Sequence, residues 1–296
     1  MDTDIKVTPG GIQTSFKVKT RKKATVGGIL TYTVLGLWAL INIFPLYWMF
    51  TFSLKSNKEI FGDNIIGLPK KWLWENYLNA LTKGNMALYF LNSVIVSSIT
   101  IILTLVIALM ATYALTRLVW KGRKTVNNII MLGLTVPIHA AILPVFLILD
   151  KLKMTDSYQA LIIPYTAFGL SMSIMICSGF IVNIPKELEE AACIDGCSVY
   201  GIFFRIILPL MKPALSTVAI FTFLSAWNEL MFANIFIDDA KFRTLSVGIQ
   251  TLSGAHTTKW GPIGAALVIA TFPTLMLYSF MSTKIQKSLT AGAVKG

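Results

Sequence analysis

Long uncharged runs separated by short polar connections dominate this 296-residue chain. Residues 24–54, 84–116, 125–149, 157–185 and 260–283 hold no Lys, Arg, Asp or Glu, and a sixth run, 213–237, holds a single acid, Glu229. A helix needs about 20 apolar residues to cross the hydrocarbon core of a bilayer, and all six runs are longer than that. In lipid a helix satisfies its backbone hydrogen bonds within its own segment. The runs lack the apolar/polar alternation of a membrane-spanning barrel strand. The pattern therefore predicts an all-α membrane protein with six transmembrane helices. Pro137, Pro144, Pro164 and Pro273 fall inside the runs, where each removes a backbone donor and can kink its helix.

The runs divide the chain. A polar N-terminal tail covers 1–23, the first transmembrane helix 24–54 and an outer loop 55–83. A core of five further helices spans 84–285, followed by a C-terminal tail, 286–296. The first 23 residues are polar and the run after them exceeds the length of a signal core, so it is read as a retained helix. Trp72, Trp74 and Tyr77 in the first outer loop suit the headgroup layer, where amphipathic rings are stable. The last outer loop, 238–260, is long for a connection and is expected to be functional.

Composition changes the picture through charge. The net charge is +12, which raises the question of a nucleic-acid partner. With the N-terminus placed inside, the inner segments carry sixteen Lys and Arg against six acids, and the outer ones ten against eight. That bias predicts both termini in the cytoplasm of a multi-pass membrane protein. The basic clusters "KVKTRKK" (17–23) and "KGRK" (121–124) then read as topology signals and lipid contacts rather than nucleic-acid sites.

Catalytic chemistry is sparse. The two histidines, His139 and His256, stand in no metal-ligand spacing, and there is no G-x-S-x-G nucleophile motif. His139, beside Pro137, is read as a hydrogen-bonded interior residue. Cys193 and Cys197, which one helical face could hold, read as free thiols. No metal site is expected, and the chain is not expected to be an enzyme. Ion-coupled transporters keep carboxylates near the midplane, whereas Glu229 falls toward the outer end of its run. There is no phosphate-binding G-x-x-x-x-G-K-[ST] loop, so the chain does not bind ATP or Mg itself.

One polar stretch breaks the apolar pattern. In "ELEEAACIDGCSVYGIFFRIILPL" (187–210), Glu187, Glu189 and Glu190 suit the positive N-terminal end of a helix dipole. Asn183 is expected to cap that helix and Pro185 to fit its first turn. Gly196 is expected to close it in the left-handed conformation. Ser198 can cap a second short helix, which Pro209 bends into the fifth span. A helix resting on anionic lipid would carry lysines and bulky apolar residues; acids and alanines suit docking to a protein.

These residues resemble a known family. "EAACIDGCSVYGIFFRIILP" (190–209) matches the E-A-A-x3-G-x9-I-x-L-P pattern of ABC importer permeases through Glu190, Ala191, Ala192, Gly196, Ile206, Leu208 and Pro209. "LNSVIVSS" (91–98), "AWNELMFA" (226–233), "TTKWG" (257–261) and "LTAGAVKG" (289–296) are similar to the shorter permease subunit of maltose-type sugar importers. The resemblance implies a type I permease fold with a coupling helix at 185–196, in which Glu190, Ala191, Ala192, Asp195 and Gly196 contact an ATPase. It implies a prokaryotic cell membrane location, a homologous second permease, two ATPase subunits that bind ATP and Mg, and an extracellular or periplasmic sugar-binding protein reached by 238–260. It places the C-terminal tail, with Gly292 and Gly296 in a loose strand, toward the ATPases. Trp227, Asn228 and Glu229 become candidates for the sugar path. A permease for another solute, such as an oligopeptide or polyamine, and a self-contained secondary transporter are the alternatives. Nothing in the chain names the sugar.

Overall fold

The uncharged runs fold as helices, two of them broken. The computed structural model describes residues 3–8, 11–16, 26–62, 64–252 and 258–293, and its contacts group the chain into two units, Met1–Trp48 and Met49–Gly296. In the first unit Thr3–Thr8 (β1) and Gly11–Phe16 (β2) pair as an antiparallel hairpin, in register from Thr3↔Phe16 to Thr8↔Gly11. The sequence pattern assigned no element there. Helix α1 (Val26–Ser53) starts in this unit, and its apolar side chains, Tyr32 and Trp38 among them, are exposed as on a span surrounded by lipid.

Among its described residues the second unit holds helices and no strand. In chain order it holds α2 (Asn57–Ile60), α3 (Glu75–Thr82), α4 (Met86–Thr116), α5 (Arg123–Leu132), α6 (Ile142–Lys151), α7 (Gln159–Ile181), α8 (Glu187–Ile194), α9 (Val199–Ile202), α10 (Leu208–Leu210), α11 (Lys212–Asn228), α12 (Met231–Phe236), α13 (Leu245–Thr251) and α14 (Trp260–Ala293). Helices α1, α4, α7 and α14 are each long and apolar enough to cross a membrane. Two bent pairs raise the number to six: Arg123–Thr135 with Ile138–Lys151 at 98°, and Val199–Leu210 with Lys212–Asn228 at 71°.

Helix α4 packs with its small polar side inward. Ser93, Ser97, Thr100, Thr104, Ala108 and Thr112 are buried against α7 and α11, while Ile102 and Val106 on the other side are more than half exposed. Lipid tails are as apolar as isoleucine, so burying large apolar side chains gains little; small residues let the helix backbones approach closely. Helix α14 uses the same device at Gly264, where a Cβ would come within 2.5 Å of the Phe52 ring.

The breaks have local causes. The 125–149 run turns where Val136 and Pro137 are extended (ψ 118° and 113°). A residue before proline is pushed out of the helical region, and the proline cannot donate to the preceding turn. Pro164 and Pro273, by contrast, lie within the unbroken α7 and α14. The 213–237 run is not one helix: α11 stops at Asn228, Glu229 is extended, and α12 restarts at Met231. The bend before α11 falls at Met211, between Pro209 and Pro213, after a π-helical stretch, Phe203–Ile207, in which the Leu208 N–H reaches the Phe203 carbonyl. Pro209 lacks the N–H that would continue the ordinary ladder.

The ends of the second unit correct one expectation and detail another. Residues 286–293 are helical, continuing α14 through Gly292 to Ala293, where a loose strand was expected. The segment "STKIQKSLTA" has no proline and is rich in helix formers; Gly296 lies outside the described residues. In the 55–83 loop, Lys55 is 1% exposed and its Nζ donates to the carbonyls of Asn64 (2.8 Å) and Ile65 (3.1 Å). Burial pushes its ammonium below the usual lysine range, and Glu59 offsets part of that. Trp72 and Trp74 stack at 6.2 Å and stay exposed, whereas the Tyr77 hydroxyl is 2.8 Å from the Ser53 hydroxyl.

Candidate functional site

Helix α8 is short and weakly apolar, and its caps explain its length. Glu187, Glu189 and Glu190 occupy its first turn. At its end Gly196 takes φ +79°, its N–H donates to the Cys193 carbonyl (3.0 Å), and the Cys197 N–H donates to the Ala192 carbonyl (2.9 Å). This pair of bonds is a Schellman closure, which needs a residue comfortable at positive φ. Ser198 then caps α9, its hydroxyl accepting the Gly201 N–H at 3.2 Å. Asn183 does not cap α8 as expected. Its side-chain amide donates to the Gly179 carbonyl (3.1 Å) behind it, and α8 starts at Glu187 after an uncapped Lys186. Cys193 and Cys197 share no helical face, because the turn at Gly196 separates them; Cys193 is exposed and Cys197 half-buried.

Of the five expected coupling residues, Ala192 is buried, in the cluster with Tyr113, Cys177, Phe203 and Ile207, and holds α8 to the body. Glu190, Ala191, Asp195 and Gly196 face outward. They share that surface with Ile194 (87% exposed) and Tyr200 (77%). Two bare apolar side chains therefore stand among acids and small residues on this surface. Sequence reasoning missed Arg117, which ends α4. Its Nε is 3.0 Å from Oε1 of Glu189, and its Nη2 donates to the carbonyls of Ile181 (2.8 Å) and Ile184 (2.5 Å). The only signal for it was an arginine at the end of an apolar run.

A cavity of about 650 Å³ opens between α4, the bend at Pro137, α7, α11 and the start of α12. Its walls are mostly apolar and aromatic, including Phe168, Phe221 and Phe232, with Thr100, His139, Thr222, Ser225, Asn228 and Glu229 as polar members. Of the three candidates for the sugar path it brings Asn228 and Glu229 together and leaves Trp227 out. Trp227 is 4% exposed, stacks on Phe223 (5.3 Å), meets Phe90 edge-on (5.5 Å), and its indole N–H donates to the Ala270 carbonyl (3.0 Å). Glu229 is not free: its carboxylate accepts the backbone N–H groups of Phe232 (2.9 Å) and Ala233 (3.1 Å) and the Tyr165 hydroxyl (2.5 Å). It caps α12 and holds the break open. Asn228 is exposed to the cavity, with one side-chain bond, to the Leu224 carbonyl (2.9 Å). His139 is also exposed at the wall instead of being a hydrogen-bonded interior residue.

At the far end of α7, the first part of the 238–260 loop is held rigidly. Asn92 donates to the carbonyls of Lys241 (2.9 Å) and Arg243 (2.8 Å), and Asp156 accepts the N–H groups of Asp238 (2.6 Å) and Asp239 (2.8 Å). Residues 253–257, with His256, lie outside the described residues.

A bundle of membrane-spanning helices thus carries a clamped polar helix at one end and a half-open, mostly apolar cavity within. The chain belongs to the family of binding-protein-dependent transport system inner membrane components, whose model matches residues 104–291. It is 36% identical over 280 residues to the probable ABC transporter permease protein YurM of Bacillus subtilis (strain 168), covering 95% of this chain and 93% of that one. To the trehalose/maltose transport system permease protein MalG of Thermococcus litoralis it is 37% identical over 264 residues, covering 88% and 94%. Its fold is that of a chain in the crystal structure of a bacterial ABC transporter involved in the import of the acidic polysaccharide alginate, with TM-score 0.78 at 20% identity over 91% of this chain and 99% of that one. It is a multi-pass inner membrane component with the type I ABC permease fold.

Proposed function

We propose that this chain is one permease of a heteromeric, ATP-driven importer for an uncharged sugar or oligosaccharide. A homologous permease would complete the translocation path, two ATPase subunits binding ATP and Mg would dock on α8 from the cytoplasm, and an external binding protein would deliver the sugar. Both termini would be cytoplasmic. The observation that carries this reading is the outward face of α8, where Glu190, Ala191, Asp195 and Gly196 surround the exposed Ile194. ATP binding would close the ATPase pair, and α8 would pass that movement to the bundle.

The sugar assignment rests on relatives such as the trehalose/maltose permease protein and on the cavity wall. That wall offers aromatic faces with hydroxyl, amide and imidazole groups, and no Lys or Arg among its described residues. Its one carboxylate is already held by three donors. That occupation also disfavours a self-contained ion-coupled transporter, whose carboxylate must exchange an ion or proton.

The test is Glu190→Lys in the reconstituted importer. It should abolish the rise in ATP hydrolysis caused by sugar-loaded binding protein while the chain still inserts in the membrane. Unchanged stimulation would refute docking through α8. Uptake that favours a charged solute over neutral sugars would refute the substrate class.

A further inference from the structure

We propose that Arg117 is a positioning residue that locks α8 to the ends of α4 and α7, so that the three move as one body. This rests on the reading of α8 as the docking helix. The geometry is specific. Arg117 follows the last turn of α4, and its N–H still donates to the Tyr113 carbonyl (2.9 Å). One edge of its guanidinium holds two carbonyls at the end of α7, those of Ile181 and Ile184, and its Nε meets the Glu189 carboxylate on α8. The two side chains are 7% and 15% exposed. An arginine presents a flat, fixed fork of donors, so two hydrogen bonds to the end of α7 and a charge pair with Glu189 on α8 fix the relative position of those elements.

Tyr113 of α4 also faces the Glu189 carboxylate; otherwise little fixes α8. Ala192 is its one buried residue, and a single methyl group is a small apolar contribution. Leu188 and Ile194 are exposed. The Schellman turn at Gly196 closes the helix on itself and ties it to Cys197 and α9, not to α4 or α7. A docked helix that could pivot about its ends would absorb a push instead of transmitting it. Removing one member of a shielded ion pair leaves the other charge buried and unpaired, so α8 should loosen without Arg117.

Two readouts on the assembled importer, purified by a tag on this chain, test the lock. The first, taken after the ATPase subunits are stripped away, is reaction of N-ethylmaleimide with the half-buried Cys197 in a Cys193→Ser background, which reports α8 without reference to docking. The second is the stimulation of ATP hydrolysis by the binding protein purified with the solute it carries. In Arg117→Met, labelling of Cys197 should speed up by about tenfold or more, as expected when a locally packed element opens, and stimulation should be lost while ATPase subunits still co-purify. Arg117→Lys should recover part of both. Glu189→Gln combined with Arg117→Met should be no worse than Arg117→Met alone, because the pair acts as a unit. Wild-type labelling in Arg117→Met, or faster labelling with normal stimulation, would overturn the lock. If Glu190→Lys leaves stimulation intact, the docking reading fails instead, and Cys197 labelling alone still decides whether Arg117 holds α8.

Discussion

Asn228 and Glu229 are neighbours in the chain and do different work. The Glu229 carboxylate accepts three hydrogen bonds, two from the start of α12 and one from Tyr165. Bonds to a charged acceptor contribute roughly 1.5–3 kcal/mol each, and loss of a helix cap costs about 1 kcal/mol. Glu229→Ala should therefore lower stability by about 2 kcal/mol or more, seen as an earlier melting transition of the detergent-purified chain. Asn228→Ala removes only a bond to its own helix. It should leave melting within about 0.5 kcal/mol of wild type and raise the KM for uptake. Trp227→Ala should behave as a core deletion, costing about 3 kcal/mol, because its ring is enclosed by Phe223, Phe90 and α14. The sequence marked these three residues as a set through the resemblance of "AWNELMFA" to sugar permeases. It could not separate their roles, because Tyr165 and Ala270, which decide them, lie 64 and 43 positions away.

At the scale of elements, what was legible is what is local. The acids of α8, its glycine stop and the Ser198 cap act within a few residues of one another, and each stands where its chemistry predicts. Asn183 was misassigned because two helix ends compete for one side chain, and the α7 end holds it. The turn at Pro137 follows from the dipeptide itself, whereas the break at Glu229 follows from capping that only the folded neighbours complete. The glycine stop yields a prediction free of packing effects. A Cβ at Gly196 would meet nothing within 4 Å, so only its φ of +79° resists substitution. Gly196→Val should cost about 1–2 kcal/mol through strain and fray the end of α8. Gly196→Asn, which tolerates the left-handed region, should be nearly silent. The measurement is ATP hydrolysis stimulated by the binding protein, which should fall in the valine variant and hold in the asparagine one. Equal loss in both would mean that the partner needs bare backbone at 196.

For the whole molecule, apolar length predicted the spans, but not how the spans pack. An uncharged run gives no sign of which face is buried when lipid and protein are equally apolar; here the Ser and Thr row of α4 is inside and its isoleucines are outside. Orientation remains the property on which the functional reading turns, since α8 must lie on the side that holds ATP. The inner segments carry ten more positive than negative charges and the outer ones two more, which predicts that α8 lies on the cytoplasmic side. Two exposed positions at opposite ends report this directly: Leu68 (60% exposed) in the first outer loop and Ile194 (87%) on α8. In a chain with Cys193 and Cys197 replaced by serine and the buried Cys177 retained, a membrane-impermeant maleimide applied to intact cells should label Leu68→Cys and leave Ile194→Cys unmodified. Opening the membranes and stripping bound ATPase should expose Ile194→Cys as well. The opposite pattern would put α8 outside, where no ATPase could push on it, and the permease would then have to draw its energy from its own spans, which hold one carboxylate already committed to capping a helix.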